Sequence, residues 1–220
     1  MVTRLAPMFR RATRLAAALL LVVPAQAASL AFPLQNEHLE VDLDYSDGRL
    51  MGFLDRHAHW NHVSDQATFL DLWKLEVVSG GKRMTLSPRQ VKACRLDPGR
   101  DQHSLRLSWW DFGLESAPGL RVVVEVELER TSAMSRWGMT IENQRGLLLE
   151  KVQFPQFSAI RPQTNECLAV PVWMGQLMPN PRSLLTGGAG QGARLEWDYP
   201  GLTSLQCVAY YRKNGPGLYF

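Results

Sequence analysis

The feature that most constrains this chain is a strict alternation with a period of two. In residues 120–130, Val122, Val124, Val126 and Leu128 fall on one face, and Glu125, Glu127 and Glu129 fall on the other. Successive side chains of an extended strand point to opposite sides, so this spacing makes a strand with one dry face and one wet face. The same period runs through Leu39, Val41, Leu43 and Tyr45, through Leu105, Leu107 and Trp109, and through Trp137, Met139 and Ile141. Further strand-like runs occupy residues 49–54, 70–78, 90–96, 150–157 and 204–212.

Turn chemistry separates these runs. Ser46-Asp47-Gly48, Ser79-Gly80-Gly81-Lys82 and Asp97-Pro98-Gly99 each reverse the chain. Strands joined by short turns are antiparallel. No stretch of a dozen residues carries a helical period. The expected fold class is therefore all-β, with two antiparallel sheets packed as a sandwich about 10 Å thick. Residues 171–199, with Pro179, Pro181 and Gly187-Gly188-Ala189-Gly190, read as one long irregular loop. Long loops in compact domains are often functional.

The two ends carry separate messages. Arg4, Arg10, Arg11 and Arg14 precede an apolar stretch at residues 15–23, then Pro24 and Ala25-Gln26-Ala27. That order is a secretory signal, residues 1–27, with a small-x-small cleavage site. The apolar stretch is about half the roughly 20 residues a membrane span needs, so no membrane segment is expected after cleavage. The leader holds four of the 24 basic residues and none of the 21 acidic ones. Its removal leaves 20 basic against 21 acidic residues, a net charge of −1. A near-neutral chain without a basic face has no footprint for nucleic acid. The expected location is secreted or periplasmic, and residues 28–220 suit one domain. At the other end, residues 217–220 begin a return strand after the turn at Lys213-Asn214-Gly215. The sandwich is accordingly expected to be incomplete at the C-terminus, with the chain part of a longer protein.

Motifs for chemistry are sparse. Cys94, Cys167 and Cys207 stand in strand-like contexts and read as small buried hydrophobes, with no CxxC pair for zinc. His57-Ala58-His59-Trp60-Asn61-His62 places three imidazoles close in sequence, but a polar turn explains them better, and no metal or cofactor is expected. The acids lie mainly on wet strand faces, and none forms a catalytic pair of the glycosidase kind. There is no GxSxG elbow, P-loop or dinucleotide fingerprint. Trp73, Trp109, Trp110 and Trp137 lie within strands and read as core. Trp173, Trp197 and Tyr199 lie in or beside the irregular loop, where exposed rings can stack on sugars.

Several short segments together resemble a known family. They are Asp47-Gly48-Arg49-Leu50, Leu72-Trp73-Lys74-Leu75-Glu76, Val170-Pro171 through Gly175 with Pro179-Asn180-Pro181, Tyr199-Pro200-Gly201 with Ser204-Leu205-Gln206, and Ala209-Tyr210-Tyr211 to Gly217-Leu218-Tyr219-Phe220. They are similar to the N-terminal region of secreted, largely uncharacterised glycoside-hydrolase-like proteins, and the likeness spans residues 39–220. In that family a galactose-mutarotase-like β-sandwich precedes a catalytic TIM barrel. The resemblance implies a carbohydrate-associated domain whose partner is a downstream catalytic barrel absent from this chain. It assigns no catalytic residue here. The substrate-binding residues expected on the loop are Trp173 and Trp197, which would stack on sugar, with Tyr199 beside them. Asn180 and Arg182 would bond hydroxyls. Two alternatives stand beside this reading. One is a mutarotase-type sugar epimerase using His57, His59 or His103 as acid. The other is a non-catalytic carbohydrate-binding surface module.

Overall fold

The computed structural model describes residues 31–64, 71–157, 159–185, 195–197 and 201–220. The leader expected at residues 1–27 lies outside them. The described chain is all-β and antiparallel, arranged as four small sheets.

The first sheet is β1 (Ala31–Gln35), β2 (Leu39–Asp44), β3 (Leu50–Asp55) and β4 (Trp60–Asn61), in that order. Leu39, Val41 and Leu43 alternate into the core as their spacing predicts. β3 obeys a different count. Leu50 and Phe53 are both buried although they stand three residues apart. The pairing slips there: Asp42 faces Gly52, yet Leu43 faces Leu50. One extra residue, the exposed Met51, is accommodated as a bulge and turns the strand over.

β5 (Lys74–Ser79) and β6 (Lys82–Leu86) form the hairpin expected at Gly80-Gly81. Their sheet is completed by β11 (Leu148–Gln153), which returns to the other side of β5. The third sheet is a meander of β7 (Ala93–Pro98), β8 (Ser104–Trp110), β9 (Arg121–Leu128) and β10 (Ser135–Glu142). Its register stacks like with like. Cys94, Trp109, Val122 and Ile141 form one cross-strand row. Leu96, Leu107, Val124 and Met139 form the next, and Pro98, Leu105, Val126 and Trp137 the third. Such cross-strand rows are the unit of sheet stabilisation. The reverse face carries Arg106 bridged to Glu125 at 2.9 Å and to Glu142 at 3.8 Å. The alternation read in residues 120–130 is thus an acidic face over a dry one, with Val123 and its partner Ser108 buried on the acidic side.

The apolar faces of these three sheets share one core. Trp109, fully buried, crosses between the first and third sheets. Its indole N–H donates to the Asp47 carbonyl at 2.8 Å, and its ring meets Trp73 edge-on at 5.6 Å. Asn36 makes the second tie. Its side-chain amide donates to the carbonyls of Glu129 and Ser132, and its oxygen accepts from the His38 and Leu39 amides at 2.7 Å.

The fourth sheet is β12 (Glu166–Val170), β13 (Gln176–Pro179), β14 (Ala209–Arg212) and β15 (Gly217–Tyr219), in the order β13-β12-β14-β15. The single-loop reading of residues 171–199 therefore needs correction. β13 and a five-residue helix, α1 (Pro181–Leu185), lie inside that stretch. Four-residue strands with mixed composition leave too short a pattern for alternation to show. The cysteines also divide. Cys94 is half-buried, and burial pushes its thiol up to about 12. Cys167 is buried, but Cys207 is exposed and precedes β14, so the small-hydrophobe reading fails for it.

Gly48 makes the Trp109 joint possible. It has a φ of +74°, and a Cβ there would lie 2.5 Å from the Trp109 ring. Gly48→Ala is expected to cost about 2–4 kcal/mol from left-handed backbone and overpacking together. A lower urea midpoint with an unchanged slope checks this, and an unchanged midpoint contradicts it.

Candidate functional site

Three of the residues expected to bind substrate, Trp173, Asn180 and Arg182, lie in the turn, strand end and helix that follow β12, so the pairing of the fourth sheet decides what they can do. Cross-strand pairs Cys167–Pro179, Cys167–Tyr211 and Tyr211–Gly217 place these residues on one face. Ala169–Leu177, Ala169–Ala209 and Ala209–Tyr219 extend the same face. None of these side chains is charged. Leu177 is exposed and Tyr219 is 78% exposed. Ala169, Leu177, Cys207 and Tyr211, with Met174 from the preceding turn, outline an apolar groove of about 450 Å³. The opposite face turns inward, with Met178, Tyr210, Glu166 and Leu218 buried. Leu218 joins the common core.

Trp173 sits in the turn between β12 and β13 with a φ of +56°, and its ring is 78% exposed. A tryptophan so displayed beside an apolar groove is available for stacking. Asn180 also adopts a left-handed backbone, at +49°, and its backbone N–H donates to the Glu166 carbonyl at 2.8 Å. Trp197 is half-buried. Tyr199, and the glycine-rich run at residues 187–192, lie outside the described residues.

Arg182 has a structural engagement that its sequence position did not reveal. Its Nε donates to the Glu166 carboxylate at 3.1 Å. One terminal nitrogen donates to the Ile160 carbonyl at 2.6 Å and to the Tyr210 hydroxyl at 3.1 Å. The Tyr210 hydroxyl in turn donates to Glu166, and so does the Gln163 backbone N–H at 3.3 Å. Burial acts to raise the Glu166 carboxyl, but the bonds from Tyr210, Gln163 and Arg182 outweigh it and hold it below its ordinary value. Burial and its bond to Glu166 push the Tyr210 phenol up to about 12. A lowered carboxylate and a raised phenol suit a static strut between β12, β14 and α1 rather than proton transfer near neutrality. In the sequence Glu166 belongs to no motif and Tyr210 stands only within the Ala209-Tyr210-Tyr211 segment; their pairing across 44 residues joins them.

The histidines do not converge. His57 and His38 share a hydrogen bond of 2.9 Å across the β2–β3 end of the first sheet. His59 lies in the exposed turn before β4, and His103 bonds the Gln35 carbonyl at 2.9 Å. His62 goes the other way: it is 2% exposed and packs edge-on to Phe53. Among the described residues, no three His, Cys, Asp or Glu side chains are grouped to hold a metal ion. No described helix is long and apolar enough to cross a membrane. No protein-family model matches this chain, and no curated protein matches it.

Two buried groups, one imidazole and one carboxylate, contribute to the acid response. Asp44, where burial acts to raise the carboxyl but bonds from Ser46 and Arg49 hold it low, adds to the carboxylate part. Burial lowers the His62 imidazole below its ordinary 6.5, only partly offset by Asp55. Glu166 is held below its ordinary 4.5. Each binds a proton less readily folded than unfolded, so unfolding takes up protons and stability falls with acidification. The His62 contribution is intact above pH 6.5 and is lost below it. The Glu166 contribution is intact above 4.5 and is lost as the pH falls through its lower folded value. Urea midpoints measured across this range are expected to decline in two stages, and His62→Gln is expected to remove the upper one. A flat profile above pH 4.5 would contradict the burial of a neutral imidazole.

Proposed function

We propose that this chain is a carbohydrate-associated β-sandwich module of an exported glycoside-hydrolase-like protein, and that the module packs on a catalytic domain. The observation that carries this reading is the uncharged outward face of the fourth sheet. The third sheet covers its solvent face with ion pairs such as Arg106–Glu125. The fourth presents Ala169, Leu177, Ala209, Tyr211 and Tyr219 in one surface, with Trp173 and Met174 at its end. A contiguous apolar face of this kind marks an interaction surface. A covering domain would bury the aliphatic part and leave Trp173 at the border, where an indole can lie against a sugar ring.

The sandwich arrangement belongs to the same proposal. Its support is the shared core of the first and third sheets and the ties made by Trp109 and Asn36. Sugar contact falls to Trp173 and Trp197, with Asn180 contributing polar bonds and Tyr199 beside them. Arg182 contributes indirectly, by holding α1 on β12 through Glu166.

A glycan array probed with the chain spanning residues 28–220 tests this. Binding to oligosaccharides is expected, weakened about tenfold in Trp173→Ala, since one lost ring contact is worth about 1 kcal/mol or more. The thermal midpoint should stay unchanged because the ring is exposed. Absence of any bound glycan, or full binding by Trp173→Ala, overturns the reading.

A further inference from the structure

A second surface feature lies away from the fourth sheet's outward face. Three sheets converge where β2 and β3 of the first, the start of β10 in the third and β15 in the fourth approach one another. They enclose an open cleft of about 630 Å³. That volume is within the range of small-molecule sites. The walls are amphipathic in an ordered way. Phe157 is the hub of an aromatic set, with its ring 5.2 Å from Phe53, 5.7 Å from Trp137 and 5.0 Å from Phe220, each edge-on. His62 and Asp55 line the same cleft from the first sheet.

His62 is the unexplained member. It is 2% exposed, and its Nδ1 is buried without a hydrogen-bond partner. A buried polar atom left unpaired costs about 1–3 kcal/mol. Phenylalanine or leucine would fill the same space without that penalty. The neighbouring backbone does not need the imidazole either. The His62 amide donates to the Phe53 carbonyl, and its carbonyl accepts from the Arg161 amide at 2.7 Å. The ring is therefore a hydrogen-bonding group set in the wall of an aromatic cleft, with its Nδ1 shielded and unpaired. Asp55 supplies a carboxylate on the same wall, and its field acts on the imidazole.

From this geometry we infer that the cleft is a binding site for a single hydroxylated ring, a monosaccharide unit, distinct from the Trp173 surface. This inference rests on the carbohydrate reading above. A pyranose has an apolar C–H face and a rim of hydroxyls. Its face fits against one of the two rings, Trp137 or Phe157, and its edge meets the other, since the rings stand 73° apart. Its rim reaches the His62 imidazole and the Asp55 carboxylate, which together offer a donor or acceptor and a strong acceptor. A purely apolar ligand would strip water from the Asp55 carboxylate, which has one bond from the Ala58 amide, and is disfavoured for that reason.

The test uses the chain spanning residues 28–220 and the methyl pyranosides of glucose, galactose and mannose. The Trp137 indole N–H resonance, assigned by its loss in Trp137→Phe, is followed during titration of each sugar. At least one sugar is expected to shift it saturably. The apparent affinity should fall about tenfold in Asp55→Asn and in His62→Gln, the loss of one charge-assisted bond or one neutral bond. Asp55→Asn keeps the side-chain oxygen that accepts from the Ala58 amide at 2.9 Å, so it preserves the local fold if His62→Gln does not. Trp173→Ala should leave this titration unchanged, which separates the cleft from the glycan-array surface. No saturable shift with any sugar overturns the inference while leaving the array result standing. So does a shift that Asp55→Asn leaves at wild-type affinity.

Discussion

Trp109 is the side chain on which the assembly of this fold most depends. It stands in a cross-strand row with Cys94, Val122 and Ile141, and so belongs to the third sheet. Its indole N–H reaches the Asp47 carbonyl in the β2–β3 turn, and so it also holds the first sheet. Trp73, just before β5, meets it edge-on and brings in the second. A buried indole needs a partner for its single N–H, and the carbonyl it finds sits beside a glycine whose missing side chain leaves room for the ring. Three sheets are thereby referred to one ring.

The fourth sheet is attached differently. Leu218 reaches the common core, while the strands and α1 are joined to one another through Glu166, Tyr210 and Arg182. A charged, hydrogen-bonded strut fixes direction more than it adds stability, because the desolvation of its members offsets much of their attraction. Its outward face is correspondingly the apolar one. The contrast with the third sheet lies in the second face of each: one carries ion pairs such as Arg106–Glu125, and the other carries uncharged side chains.

Much of the strand map was readable in advance. The runs that became β2, β8, β9 and β10 alternate cleanly because each has one face in a core and one in water. β12 and β13 were not readable, since they are only five and four residues long and carry apolar side chains on both faces, so no alternation shows. The bulge at Met51 was equally hidden: a one-residue slip changes the face of every later side chain, and nothing in Leu50-Met51-Gly52-Phe53 announces it. Among candidate residues, the exposure of Trp173 agrees with its place in an irregular segment. Arg182 was legible only as a cation near a proline, because its partners lie 16 and 28 residues away. His62 was visible as part of a histidine-rich turn, but its separation from His57 and His59 depends on the backbone passing from turn to strand between them.

The sequence by itself determined the class of structure, since strand periodicity and turn residues are local properties of neighbouring side chains. It also determined which faces of β8, β9 and β10 would be dry. Tertiary structure alone decided the division into four sheets and the return of β11 to β5. It alone placed Trp109 on Asp47, Arg182 on Glu166, and Phe53, His62, Trp137 and Phe220 around one cleft. These are contacts between residues tens of positions apart. Their energy depends on register and packing shape, which no short window of sequence encodes.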